Sequence, residues 1–388
     1  MIYVQGTKEP IFENLKDFLT KGNPLGPIRA EDINDNKLIR VFFNRINVIY
    51  DNMTSERSLI VGRRGAGKTA FLHSTYLDPH YEIVIKLRPE STFRQIVITI
   101  EDEFLGYSTT RPKSVSPFPE EVKNLWDILF WNLVFVSLTQ KYENSSGQDP
   151  SLNVLKKYVL AIGLSKETRP YAIMTKVIGL LRKIAHGNPL QGIAELAETA
   201  EFDGVTFTSA RDAAISFMKT ASIWSMILMD SLEDFHLESE TMTHTIAGLL
   251  KCQGAFNEPR THCSLRTCLP AESYFDFLQF SSNPIKDFQH ELILQWYPPE
   301  LLRIAAERHL LFLQLYHPEK YSELKEINLE KRGSVRYWER VLPEYVTNMA
   351  GVQEKSIAYI LRHTQLLPRH ILMLVSEICA RSERDDEG

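Results

Sequence analysis

Eight residues of this chain have the types and spacing needed to hold a polyphosphate. Gly62-Arg63-Arg64-Gly65-Ala66-Gly67-Lys68-Thr69 satisfies G-x-x-x-x-G-K-[ST] without a mismatch. Glycines at 62, 65 and 67 let the backbone curl until its N–H groups point at phosphate oxygens. A helix starting here adds the positive end of its dipole. Lys68 is placed to reach β- and γ-phosphates, and the Thr69 hydroxyl to ligate Mg²⁺. Arg63, Arg64, Ala66 and Ala70 complete the stretch expected around the nucleotide, with the two arginines facing either its phosphates or solvent.

That chemistry also needs a carboxylate for the metal. Ser222 to Asp234 reads SIWSMILMDSLED, an apolar run ending in an acid. A buried strand of this composition would deliver Asp230 at its C-terminal end, where a metal ligand belongs. Glu233 and Asp234 follow, and either could polarise an attacking water, Glu233 being preferred. Arg266 and Thr267 lie in the apolar run from His262 to Leu269 and are candidates for sensing a γ-phosphate; the alternative is that they face solvent. Arg369 follows Pro368, and proline suits a first helical turn. An arginine there could grip a γ-phosphate in bidentate fashion, or be a plain surface residue.

The elements that must carry these residues follow from hydrophobic periodicity. Strands are expected at Ser58–Val61, Tyr81–Leu87, the run before Asp230, His262–Leu269 and Glu291–Trp296. Helices are expected at Asp35–Tyr50, Thr69–Tyr76, Thr92–Leu105 and Glu120–Tyr142, with a loop over 106–119. A helical block follows the break at 143–150, with helices at 152–164, 165–184, 190–199 and 209–220, while 202–208 reads as a short strand or a loop. Helices from Glu300 to Tyr316 and near 321–326, 334–349, 352–363 and 368–381 finish the chain. The fold class is therefore α/β: a P-loop parallel sheet flanked by helices, with a helical insertion and a C-terminal helical lid. The expected divisions are an N-terminal helical segment over 1–55, a core over 56–297 with its insertion at about 106–220, and the lid over 298–388.

Composition narrows the function classes. The 388 residues suffice for two or three lobes. A formal charge of −5 gives no global basic field, so nucleic acid is a possible partner that charge does not indicate. Cys252, Cys263, Cys268 and Cys379 lack C-x-x-C pairing and zinc spacing, and read as free thiols of a reducing cytosol. The opening residues do not read as a signal peptide. The longest apolar stretch, Leu125 to Leu138, contains Asp127 and Asn132 and is too short to span a bilayer. A cytoplasmic protein with no membrane partner is expected.

Gly62–Thr69, Asp230-Ser231-Leu232-Glu233-Asp234 and Leu367-Pro368-Arg369 together resemble the additional-strand class of P-loop ATPases. Within it they are most similar to the STAND and AAA+-related group, which includes KAP-type and origin-recognition-like bacterial ATPases. The DSLED sequence echoes the end of the metal strand in STAND proteins, and Arg369 matches the position called sensor 2. The chain departs from ordinary AAA+ motors in having no Asp-Glu pair directly after the metal strand. No arginine finger and no fused nuclease, TIR, protease or repeat domain is recognisable. The resemblance implies ATP and Mg²⁺ as cofactors, slow switch-like hydrolysis, homo-oligomerisation and control of a separately encoded effector in antiviral defence. Two other readings stay open: a small-molecule or nucleoside kinase, and a nucleotide-binding scaffold without turnover. Kinases are usually shorter, with the metal strand nearer the loop. A GTPase would need an Asn-Lys-x-Asp motif downstream, and none is present.

Overall fold

The computed structural model describes residues 15–33, 42, 58–74, 80–87, 118–143, 149–167, 169–184, 189–230, 240–274, 291–330 and 332–386. In chain order the main elements are β1 (Leu59–Gly62), α1 (Lys68–Ser74), β2 (Tyr81–Leu87), α2 (Phe118–Lys141), α3 (Pro150–Ala161), α4 (Pro170–Ile184), α5 (Pro189–Glu198), β3 (Glu201–Phe202), β4 (Val205–Thr206), α6 (Phe207–Thr220) and β5 (Trp224–Met229). They continue with α7 (Glu240–Phe256), β6 (Cys263–Pro270), β7 (Glu291–Ile293), α8 (Pro298–Tyr316), α9 (Pro318–Leu324), α10 (Gly333–Val341), β8 (Tyr345–Thr347), β9 (Gln353–Lys355), α11 (Ser356–His363) and α12 (Pro368–Asp386). Two compact units divide the chain. One comprises Ser55–Val61 and Asp78–Leu292; the other comprises Met1–Thr54, Gly62–Leu77 and Ile293–Gly388. Apart from Phe42, the expected helices at 35–50 and 92–105 lie outside the described residues, as does the expected loop up to 117; the residues that follow already belong to α2.

The first unit is built on a five-stranded parallel sheet in the order β2-β5-β6-β1-β7. Leu228 pairs with Lys86 on one side and Arg266 on the other, and Met229 with Leu87 and Thr267. β5 is buried from Ser225 on and β6 along its whole length, as central strands covered on both faces must be. β2 alternates, with Ile83, Ile85 and Leu87 buried and Glu82 exposed, as an edge strand does. One sheet face, including Leu59, Val61, Ile85, Ile227 and Leu265, shares a core with Trp126, Phe130 and Val134 of α2. The Trp126 indole also donates to the Thr245 carbonyl of α7 at 3.1 Å. The two helices cross closely: a Cβ on Gly248 would stand 2.7 Å from Val122 Cγ1.

The helical block after α2 matches its expected composition and adds one detail. Residues 202–208, readable as strand or loop, overlap the hairpin β3–β4, in which Glu201 pairs with Thr206 and Phe202 with Val205. Asp203 and Gly204 turn it with φ of 53° and 73°, the pair of left-handed residues that a two-residue hairpin requires. Thr206 then caps α6, its hydroxyl accepting from the Ser209 N–H at 3.1 Å.

In the second unit the N-terminal segment packs Leu15, Leu19, Ala30 and Ile33 with Phe42 and Leu311. Arg308 of α8 is buried and donates to the carbonyls of Leu25, Pro27 and Phe42 at 3.2, 2.5 and 3.3 Å. Burial pulls its pKa down to about 9, which leaves it charged at neutral pH. The helix expected over 334–349 is corrected: α10 stops at Val341, and a hairpin, β8–β9, follows. Pro343 cannot donate to a helical ladder, and Tyr345-Val346-Thr347 favours extended backbone. The Asn348 side chain closes the hairpin turn by accepting from the N–H groups of Ala350 and Val352. The next helix accordingly starts at Ser356, whose hydroxyl donates to the Pro343 carbonyl, and not at Val352. The fifth strand is also shorter than expected and ends at Ile293.

His309 gives this unit a pH dependence. Its ring is buried between Phe312 and Trp338, and Nδ1 lies 2.8 Å from the Tyr337 hydroxyl. Burial, helped by nearby His317 and Lys320, pushes its pKa down to about 4. An unfolded histidine takes up its proton near pH 6.5 and the folded one only near 4. Between these values the unfolded state binds more protons, so stability falls as pH drops, by up to about 3 kcal/mol. Melting curves from pH 7.5 to 4.5 should show this loss in the wild type, and a clearly shallower slope in His309→Gln.

Candidate functional site

Gly62 ends β1, residues 63–67 turn, and α1 begins at Lys68. The Ala66 N–H donates to the Arg63 carbonyl at 3.0 Å, and the Phe71 N–H to Gly67 at 2.9 Å, which starts the helical ladder. The three motif glycines are required for different reasons. A Cβ on Gly62 would sit 3.2 Å from both Ala66 Cβ and Leu294 Cβ, so there the demand is space. Gly65 and Gly67 have φ of 86° and 93°, a region open to glycine and strained for other residues. Neither the Gly65 nor the Gly67 N–H has an acceptor among the described residues.

Lys68 is only 3% exposed, and its ammonium folds back over the turn. Nζ donates to the carbonyls of Gly62 at 2.8 Å and Arg63 at 3.2 Å. Thr69 and Ala70 are half-buried, whereas Arg63 and Arg64 are exposed. The turn is also fastened by the Trp296 indole, which donates to the Ala66 carbonyl at 2.8 Å.

Arg369 stands against the same turn. A Cβ on Gly65 would lie 3.5 Å from Arg369 Cβ and 3.8 Å from Leu367 Cδ1. The connection from α11 to α12 creates this placement. Gln365 and Leu366 both adopt left-handed backbone, with φ of 51° and 54°. Two consecutive non-glycine residues in that region store strain that the surroundings must hold. They are held by the Leu367 N–H donating to the Thr364 carbonyl at 3.0 Å, with His370 Nδ1 3.1 Å from the same oxygen.

The first unit places Asp230 at the C-terminal end of β5, half-buried, with its N–H 3.4 Å from the Leu87 carbonyl. Because the sheet is parallel, β1 and β5 end at the same edge, with β6 between them. Glu233 and Asp234 lie outside the described residues. Among the described residues no group of three or more His, Cys, Asp or Glu side chains could hold a metal ion. Arg266 and Thr267 are both buried and so do not face solvent. The Arg266 guanidinium lies over the Tyr81 ring, at the sheet's other end, and the Thr267 hydroxyl donates to Gln253 Oε1 at 3.1 Å.

Two supporting residues had no signal in the sequence. Trp296 read only as the end of a strand. Gln253 lies in a stretch to which the sequence reading assigns no element; it stands on α7, and its amide donates to the carbonyls of Ser58 at 2.5 Å and Leu265 at 3.1 Å and so ties the root of β1 to β6. The four cysteines are free thiols, as their spacing suggests. Among the described residues no helix is long and apolar enough to cross a membrane. No protein-family model matches the chain, and neither a curated protein nor a solved structure matches it.

Proposed function

We propose that this chain is a P-loop ATPase of the additional-strand type that acts as a slow switch, its nucleotide state controlling assembly with a separately encoded effector, in the manner of the antiviral bacterial ATPases it resembles. The observation that carries the reading is the Gly62–Thr69 turn: left-handed Gly65 and Gly67 with N–H groups lacking acceptors among the described residues, and Lys68 lying across the turn. These groups would grip the phosphates. Lys68 exchanges two backbone carbonyls for β- and γ-phosphate oxygens, a charge-assisted and stronger pairing. Arg369, beside Gly65, neutralises charge on the γ-phosphate, and losing that contact after cleavage is the reset. Glu233, or Asp234, orients the attacking water.

Hard oxygen donors suit Mg²⁺, and the Thr69 hydroxyl and Asp230 carboxylate are of that kind. When bound, the ion would offset charge that develops on the phosphates. Asp230→Asn is therefore expected to lower phosphate release at least ~100-fold while leaving ATP binding in EDTA unchanged. Equal phosphate release by the two proteins would remove Asp230 from the reaction.

The direct test titrates the full chain with ATP–Mg²⁺ by calorimetry, and follows phosphate release and light scattering in parallel. One ATP per chain, slow release and a nucleotide-dependent change in size support the switch. Phosphorylation of an added acceptor in place of water would make the chain a kinase. Binding without turnover would make it a scaffold, and absence of binding would end the proposal.

A further inference from the structure

We infer that Trp296 is a positioning residue for phosphate recognition: its indole hydrogen bond to Ala66 aims the Gly67 N–H at the bound nucleotide. The inference rests on the proposed ATP-binding role of the turn. A trans peptide is planar, so its C=O and N–H point in opposite directions. Fixing the Ala66 carbonyl on Trp296 therefore fixes the direction of the Gly67 N–H, which leads away from the indole. That N–H has no acceptor among the described residues, and a Cβ on Gly67 would meet nothing within 4 Å, so there is room beside it. Without the clamp, two glycines in the turn give this peptide wide freedom to rotate.

The clamp is well built for the purpose. Trp296 is 6% exposed, so water competes poorly for its N–H, and the ring cannot turn without disturbing its packing. Tryptophan nitrogen is a donor only, so it selects the carbonyl and cannot bind the N–H itself. Trp296 also stands directly before Tyr297 and the proline-started α8, whose first turn is fixed by the Tyr297 N–H donating to Glu300 at 2.9 Å. A helix start thus anchors the residue that orients the turn.

Two substitutions separate the hydrogen bond from the packing. Trp296→Phe keeps a ring and loses the N–H; Trp296→Gln keeps an N–H and loses the ring. If the bond positions Gly67, Trp296→Phe keeps most of the melting temperature yet binds ATP–Mg²⁺ about 5- to 10-fold more weakly, the worth of about one hydrogen bond. Its KM rises with little change in kcat. Trp296→Gln then melts earlier but recovers part of the affinity. If Trp296 only fills space, affinity follows melting temperature through both variants, and the inference fails. Should neither variant fold, the full chain labelled with 5-fluorotryptophan is titrated with ATP–Mg²⁺: one of its five resonances shifts, and does not shift in Lys68→Ala. Five unmoved resonances despite ATP binding would also overturn it. If the wild type binds no ATP, the functional proposal itself falls and takes this inference with it; wild-type affinity in Trp296→Phe removes this inference alone.

Discussion

Lys68→Ala should weaken ATP–Mg²⁺ binding by at least ~100-fold and bring phosphate release to background, since each charge-assisted hydrogen bond to a phosphate is worth about 1.5–3 kcal/mol. The same substitution should barely affect folding. In the free protein the ammonium is buried, with donors directed to the Gly62 and Arg63 carbonyls. Removing it deletes those bonds but also relieves the desolvation of a charge, so the two changes oppose each other. Arg63 is exposed, and its carbonyl sits where solvent is near. A change of melting temperature within a few degrees, about 1 kcal/mol, is expected. Lys68→Arg is a useful companion, because a planar fork does not replace a compact ammonium in so tight a turn. ATP titrations of both variants against the wild type, with melting curves, check this. Wild-type affinity in Lys68→Ala would show that the motif does not bind phosphate.

The largest stability effect belongs to Trp126. It is fully buried, stacks on Phe130 at 5.5 Å between ring centroids and donates to Thr245. Trp126→Ala should destabilise the chain by about 4 kcal/mol, with the cavity contributing most and the abandoned Thr245 carbonyl the rest. The cavity cannot close easily, since α2 and α7 are already in tight contact where Gly248 meets Val122. Trp126→Phe should cost about half as much, because the ring stays and only volume and the donor are lost. Urea unfolding followed by circular dichroism measures both. A loss under 1 kcal/mol for Trp126→Ala would mean that this core is far more plastic than its packing suggests.

Legibility in the sequence varied with the range of the interactions involved. The Gly62–Thr69 turn was readable because its backbone demands are local, with Gly65 and Gly67 at positive φ, although the close approaches of Leu294 to Gly62 and Arg369 to Gly65 come from distant residues. β5 and β6 were readable because buried parallel strands are nearly continuous in apolar residues, and β2 because it is rich in β-branched residues. The β8–β9 hairpin was missed because apolar spacing across 334–349 imitates a helix, while the decisive groups, Pro343 and the Asn348 side chain, act through backbone hydrogen bonds. Arg369 could be named from its proline neighbour, but its place beside Gly65 depends on left-handed Gln365 and Leu366, which carry no sequence mark. Trp296 and Gln253 were invisible for a simpler reason: their partners lie 230 and 195 residues away.

Those separations also bear on biosynthesis. In the second unit Ser376 of α12 donates to Asn23 at 3.1 Å across 353 residues, and Arg308 reaches Leu25 across 283. The Gly62–Thr69 turn is translated early, but Trp296 and Arg369 leave the ribosome late. A nascent chain therefore carries the whole motif long before it has the groups that shape it, and closure of such distant contacts is slow. On the proposed function, a chain still lacking Trp296 and Arg369 would hold ATP poorly, so nucleotide capture would follow their synthesis and not that of the motif.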